Sequence, residues 1–234
     1  MNAGRAAAAT LEDAISVVRA RISEACRRSG RSAEDVLLVA VTKAVPVDLV
    51  RQAREAGFEH FAENYANELA AKAELVPATW HFIGKLQRGT TSKVADHARV
   101  VHSAEPGDAL RRVAARAAGR GSTICCLMQV DFTGARQGVE PEAVEEFVTE
   151  GEGLIGIRLV GLMTVPPWTG DPEAARPYFA RLRDLRDSVA RGHPEVRELS
   201  MGMSGDYEVA VEEGATMVRV GTALFGARPG KPAR

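Results

Sequence analysis

Leu11, Ile15, Val18, Ile22 and Ala25 recur at helical spacing, Thr10 stands where an N-cap belongs, and Gly30 follows the last turn. This predicts a helix over 11–28. The pattern then switches to Val36-Leu-Leu-Val-Ala-Val-Thr42, a continuous apolar run rich in β-branched residues. Such a run fits a strand covered on both faces, as in a parallel sheet. From there the alternation repeats. Strand-like segments fall near 36–43, 59–63, 79–84, 99–103, 122–131, 157–165, 197–201 and 217–221. Helical patterns lie between them at 47–56, 65–75, 109–118, 142–150, 173–191 and 206–213.

Eight strands alternating with helices predict an α/β fold, a single (β/α)8 TIM barrel. A doubly wound open sheet is the alternative, because alternation by itself does not show closure. The count of eight, and the lack of a Gly-x-Gly-x-x-Gly turn after the first strand, favour the barrel. Residues 1–227 are expected to form one domain, and the tail 228–234 to be disordered.

Composition narrows the function classes. A length of 234 residues, 45% hydrophobic and 26% charged, suits an ordinary globular protein. A formal net charge of −1 offers no field for nucleic acid or an anionic membrane. No apolar run approaches the roughly 18 residues of a membrane span, and the alanine-rich start lacks a signal-peptide core. Cys26, Cys125 and Cys126 show no metal-ligand spacing and read as buried reduced thiols of a cytoplasmic protein; no metal site is expected.

Lysine usage sharpens the picture. Of 30 basic residues, 25 are arginine and five are lysine: Lys43, Lys72, Lys85, Lys93 and Lys231. Lys43 ends the first strand, on the barrel face where active sites are built. A buried lysine exposes a neutral amine that condenses with an aldehyde, which arginine cannot do. The bland reading, a lysine snorkelling out at a strand end, carries equal weight on this segment alone.

Two segments after the seventh and eighth strands add a second signal. Leu199-Ser-Met-Gly-Met-Ser-Gly-Asp206 contributes Ser200 and Ser204, and Val218-Arg-Val-Gly-Thr-Ala-Leu-Phe-Gly226 contributes Gly221 and Thr222. Glycines for close approach, hydroxyls and N–H groups at a helix start together suit a phosphate dianion. The loops after strands seven and eight are also the recurrent phosphate site of this fold.

A strand-end lysine beside a phosphate site implies an aldehyde-bearing phosphate. Pyridoxal 5′-phosphate is the first candidate, bound to Lys43 as a Schiff base. A phosphosugar aldolase without cofactor is the competitor. Arg219 lies on the face of Met217 and Gly221, opposite Val218 and Val220. There it could donate to a pyridine nitrogen and keep it unprotonated, or form a barrel-interior ion pair with Glu63. Asn64 could bond the ring hydroxyl, His81 could sit near the ring or simply be a core histidine, and Met163 could pack on a ring face. His60, His97, His102 and His193 show no ligand spacing and receive no role.

Taken together, seven segments resemble the YggS/PROSC family of pyridoxal-phosphate homeostasis proteins. They are Leu38-Val-Ala-Val-Thr-Lys43, Phe61-Ala-Glu-Asn-Tyr65, Trp80-His-Phe-Ile-Gly84, Gly161-Leu-Met-Thr164, Arg176-Pro-Tyr-Phe179, Leu199-Ser-Met-Gly-Met-Ser204 and Val218-Arg-Val-Gly-Thr222. The resemblance implies a barrel like the N-terminal domain of alanine racemase, with Lys43 as the Schiff-base lysine. It also implies phosphate contacts from Ser204, Gly221 and Thr222, and Arg219 at the pyridine nitrogen. Three sites depart from the family pattern: Gly89-Thr90 replace an Asn-Lys pair, Asp131 replaces an asparagine, and Arg136 replaces a lysine.

The expected function is therefore binding of pyridoxal phosphate for intracellular vitamin B6 homeostasis, by buffering or delivery and without catalytic residues. Expected partners are the cofactor itself and the apoenzymes that need it, with the chain acting as a monomer. The alternative is a racemase-like enzyme. Against it stand the missing second β domain with its opposite-face tyrosine and an arginine that leaves the pyridine a poorer electron sink.

Overall fold

In the computed structural model, residues 10–227 are described, and the expected disordered tail at 228–234 lies outside them. The strands are β1 Leu37–Val41, β2 His60–Glu63, β3 Thr79–Phe82, β4 Val100–Ala104, β5 Ile124–Gln129, β6 Ile157–Met163, β7 Glu198–Ser200 and β8 Met217–Val220. All pair in parallel in chain order, and β1 pairs with β8 as well as β2, so the sheet closes. Closure selects the barrel over the open sheet.

The helices are α1 Leu11–Arg28, α2 Val47–Glu55, α3 Ala66–Ala73, α4 Thr91–His97, α5 Asp108–Gly119, α6 Val144–Glu152, α7 Arg176–Val189, α8 Tyr207–Glu212 and α9 Thr222–Phe225. Thr10 caps α1 as expected: its hydroxyl accepts Asp13 N–H at 3.1 Å while Asp13 answers to Thr10 N–H. Helix α4 went unread in the sequence. It is seven residues long and buries only Thr91, Val94 and Ala95, too few for a periodic stripe.

The strand period of two divides the core. Phe61, Trp80, Phe82, Val101, Leu199, Val218 and Val220 point outward into the large apolar layer between strands and helices. Val39, Val41 and Ala62 form a separate small cluster inside the barrel. Alternation therefore sends His81, His102, Ser200 and Arg219 inward, and all four are buried. This interior is polar where barrels of this type usually carry branched apolar residues.

Two motif segments have structural explanations. At the end of β3, a Cβ on Gly84 would lie 1.9 Å from the Asn64 carbonyl oxygen, so only glycine lets the chains pass. At the start of α7, Arg176 bridges Glu173, Glu212 and Glu213 at 2.6–2.9 Å, joining α7 to α8, while Phe179 is fully buried. Among the described residues no helix is long and apolar enough to cross a membrane. Cys26, Cys125 and Cys126 are free thiols, the first and last of them buried.

Candidate functional site

Strand β1 delivers its inward positions in the order Leu37, Val39 and Val41, and Lys43 is the next in phase. The chain turns directly there: Val45 N–H donates to the Thr42 carbonyl at 2.9 Å, and Ala44 takes φ +59°. Ala44 is the sole non-glycine with positive φ among the described residues. A β-carbon in that region costs roughly 1–2 kcal/mol, so the surroundings must hold the turn.

They do so through Lys72, a residue the sequence reading passed over. Its Nζ donates to the Thr42 carbonyl (2.7 Å), Glu63 Oε1 (2.6 Å) and Glu68 Oε2 (2.8 Å), which uses all three ammonium protons. Glu63 Oε1 also accepts the Thr42 hydroxyl at 2.7 Å, and Glu68 Oε2 accepts Ala44 N–H at 2.9 Å. The residues on both sides of Lys43 are thus tied to one buried cluster. Burial raises the Glu63 carboxyl above the ordinary range against the opposing pull of Lys72 and Thr42. Glu63 is engaged here and not with Arg219, so the interior ion pair weighed for Arg219 does not form.

A cavity of about 410 Å³ opens at this C-terminal mouth of the barrel. Its lining brings together Lys43, Ser204, Arg219, Gly221 and Thr222, five of the residues singled out in the sequence. Ser200 joins them from behind, as an acceptor for Arg219. Asn64, His81 and Met163 lie outside the lining. His81 is enclosed between two other histidines, and Met163 is buried on β6 beside Ser200. The Asn64 amide oxygen is buried without a partner. The sequence reading missed Trp168 and Asp206 as wall residues, and it gave no role to Arg136, which also lines the cavity.

The two loops expected to hold an anion meet on one atom. Ser204 Oγ accepts N–H bonds from both Gly221 and Ala223 at 3.2 Å. The β7 loop reaches this place through Gly202, at φ +90°, where a Cβ would meet Ala210 Cβ at 2.5 Å and Tyr207 Cα at 2.9 Å. Arg219 N–H donates to the Gly202 carbonyl at 2.9 Å, which locks that loop to β8. The Gly221 and Ala223 N–H groups thus converge on one oxygen beside Thr222, the kind of donor cluster that an oxyanion could share.

Arg219 lies deeper. It pairs in register with Val39, two inward positions below Lys43. Its guanidinium donates to Ser200 Oγ and to the Thr164 carbonyl at 3.0 Å. Burial draws it down to about 10, with the charge of Asp206 acting the other way, so it remains a cation at neutral pH. Asp206 itself accepts Met203 N–H at 2.6 Å and is raised by burial. The cavity therefore presents an amine at one side, anion donors at the rim and a cationic donor at the floor. A planar ligand carrying an aldehyde, a phosphate and a basic ring nitrogen matches those three positions.

Comparison with known proteins identifies the family and supports the fold. The family model for the alanine racemase N-terminal domain matches residues 15–229. A pyridoxal phosphate homeostasis protein of Pseudomonas aeruginosa is 42% identical over 231 residues, covering 96% of this chain and 99% of that one. PipY of Synechococcus elongatus, solved with PLP bound, superposes with a TM-score of 0.81 at 30% identity, over 93% of this chain and all of PipY. Alanine racemase of Clostridium difficile shares the fold, with a TM-score of 0.73 at 16% identity, over 94% of this chain and 58% of the racemase. The chain belongs to the alanine racemase N-terminal-domain family and, within it, to the pyridoxal phosphate homeostasis proteins.

Proposed function

We propose that this chain binds pyridoxal 5′-phosphate on Lys43 and serves to hold and deliver the cofactor without turning over a substrate. The observation that carries the reading is the meeting of Lys43, Arg219 and the Ser204–Gly221–Thr222 rim in one cavity. Each matches one functional group of the cofactor. When bound, the cofactor supplies an aldehyde for covalent attachment and a ring that can act as an electron sink. Ser204, Gly221 and Thr222 bind the phosphate, and Arg219 donates to the ring nitrogen. Asn64, whose amide oxygen is buried outside the lining, reaches the ring hydroxyl by turning its side chain, while Met163 and His81 stand behind the lining. Apoenzymes that need the cofactor are the partners, and a monomer in the cytoplasm is the acting unit.

Ser204→Ala and Thr222→Ala each remove one hydroxyl from the anion rim. Each is expected to weaken cofactor binding by about tenfold or more, since a hydrogen bond to a charged group contributes roughly 1.5–3 kcal/mol. Absorbance titration with pyridoxal phosphate measures this directly. Unchanged affinity in both variants would place the phosphate elsewhere.

The same cavity argues against racemisation. Moving a proton across the cofactor plane needs an acid/base group on each face, and Lys43 serves one. Among the described residues the lining contains no tyrosine, histidine or cysteine, and its one carboxylate, Asp206, is held by Met203 N–H. Arg219, as a cationic donor, also leaves the ring nitrogen unprotonated and the electron sink weak. With holo-protein and excess L-alanine in deuterated water, NMR is expected to show α-proton exchange no faster than with free pyridoxal phosphate. Exchange at enzymatic rates, on the order of 1–1000 per second, would establish a catalyst.

A further inference from the structure

Three histidines fill the middle of the barrel and form one hydrogen-bonded chain that ends on Arg219. His60 Nδ1 lies 3.0 Å from His81 Nε2, and His81 Nδ1 lies 2.7 Å from His102 Nε2. His102 Nδ1 lies 2.7 Å from Ser200 Oγ, the same oxygen that accepts from Arg219. His60 is half-buried near the N-terminal mouth, whereas His81, His102 and Ser200 are closed off from solvent. Of this hydrogen-bonded chain only Arg219 lines the cavity described above.

Counting protons gives this chain a direction. A serine hydroxyl has one proton to donate and two positions at which to accept, while arginine only donates. Ser200 Oγ therefore accepts from Arg219, and the nearest acceptor for its own proton is His102 Nδ1. That leaves the His102 proton on Nε2, where it donates to His81 Nδ1. His81 in turn carries its proton on Nε2 and donates to His60 Nδ1. In the opposite direction Ser200 would receive two donors and its own proton would have no acceptor, at a cost of about 1–3 kcal/mol for a buried group. The scheme needs neutral rings. Burial supplies them, with His81 drawn down to about 3 and His102 well below its ordinary value, helped by the neighbouring ring and by Arg219.

We propose that His102, fixed by His81 and His60 behind it, is a positioning residue for Arg219. Its unprotonated Nδ1 takes the Ser200 proton, which leaves a lone pair of Ser200 aimed at one guanidinium nitrogen. The Thr164 carbonyl holds a second. The orientation of Arg219 is thus set before any ligand arrives, and a ring nitrogen facing it meets a fixed donor. The role toward the ring nitrogen rests on the function proposed above. The direction of the chain does not.

Histidine 15N NMR of the ligand-free protein near neutral pH decides the direction. His81 and His102 are expected as Nε2–H tautomers with unprotonated Nδ1. An Nδ1–H tautomer at either ring, or an imidazolium, would overturn the inference. The positioning role is read with pyridoxal phosphate labelled with 15N in the ring. His102→Leu removes the acceptor for Ser200, whereas His102→Asn keeps an oxygen near the place of Nδ1. The leucine variant is expected to shift the ring-nitrogen signal and to weaken binding about tenfold, with the asparagine variant returning toward the parent. If the leucine variant folds poorly, Ser200→Ala breaks the same link at the Arg219 end with the same expected shift. An unmoved ring signal in His102→Leu or Ser200→Ala would contradict the positioning role. Failure of the parent protein to bind the cofactor would overturn the function proposed above, while the tautomers of the ligand-free protein would still decide the chain.

Discussion

Replacing Lys72 with methionine is expected to destabilise the fold by about 3–5 kcal/mol, the usual cost of removing one partner from a buried ion pair. Lys72 and Glu63 meet at 2.6 Å with side chains 9% and 0% exposed, so solvent cannot take over the lost contact. Glu63 already has one oxygen without a partner, and in the variant only the Thr42 hydroxyl would remain on the other. The loss also has a sign with pH. With Lys72 gone, burial and the neighbouring Glu68 act on Glu63 against the Thr42 hydroxyl only, and its carboxyl rises further above the ordinary 4.5. A group with a raised folded-state pKa contributes stability below its unfolded value and loses it as pH rises through the folded one. Glu68 reinforces this: burial raises it, but Lys72 and Ala44 outweigh burial and hold it low, so the parent too gains from Lys72 only above the acid range. The deficit of the variant should therefore be smallest below about pH 4.5 and grow toward neutrality. Urea midpoints of parent and variant across that range measure it. A deficit that is constant with pH, or below about 1 kcal/mol at neutrality, would remove the cluster from its role in bracing the Lys43 turn.

Lys43→Ala is expected to abolish covalent cofactor uptake and to lower total affinity by at least ~100-fold, or ~2.8 kcal/mol at 1.4 kcal/mol per decade. The phosphate rim and Arg219 remain, so residual non-covalent binding should persist. Lys43→Arg is the stricter variant, because it keeps the positive charge while guanidinium cannot condense with an aldehyde. The backbone bonds of the turn are made by Thr42, Ala44 and Val45, so circular dichroism should show the barrel intact in both. A yellow Lys43→Ala protein of parental affinity would move the attachment to another residue.

The barrel was legible because each strand is a short apolar run and each long helix carries a periodic stripe. The meeting of Lys43, Ser204, Gly221 and Thr222 at one mouth was legible for a related reason: all four follow strand ends, and the fold fixes which face that is. Alternation along β8 turned Arg219 inward beneath them. The parts that escaped depend on distances only the closed barrel creates. His60 and His102 showed no ligand spacing, and His81 no link to them, because a search for ligands looks within a few residues. They recur 21 residues apart, one strand–helix unit each, which places them on neighbouring strands β2, β3 and β4. Lys72 was hidden likewise. Its i,i+4 relation to Glu68 reads as an ordinary surface pair, and only the fold brings Glu63 and the Thr42 carbonyl onto the same ammonium. The sequence left His81 either near the ring or as a core histidine, because alternation along β3 fixes only that it points inward, not how deep. Trp168, from the loop after β6, carries no periodic signal that would assign it to a cavity wall.

The central claim is that one lysine of this chain takes the cofactor, and borohydride reduction followed by peptide mass mapping tests it most directly. Reduction freezes the link between the amine and the aldehyde carbon before digestion. Lys43 is expected to carry the pyridoxyl group, with Lys72, Lys85 and Lys93 unmodified. Lys72 in particular should stay clear, since its three protons are already donated to buried acceptors. A stoichiometric adduct on Lys72, Lys85 or Lys93 with Lys43 unmodified would contradict the account.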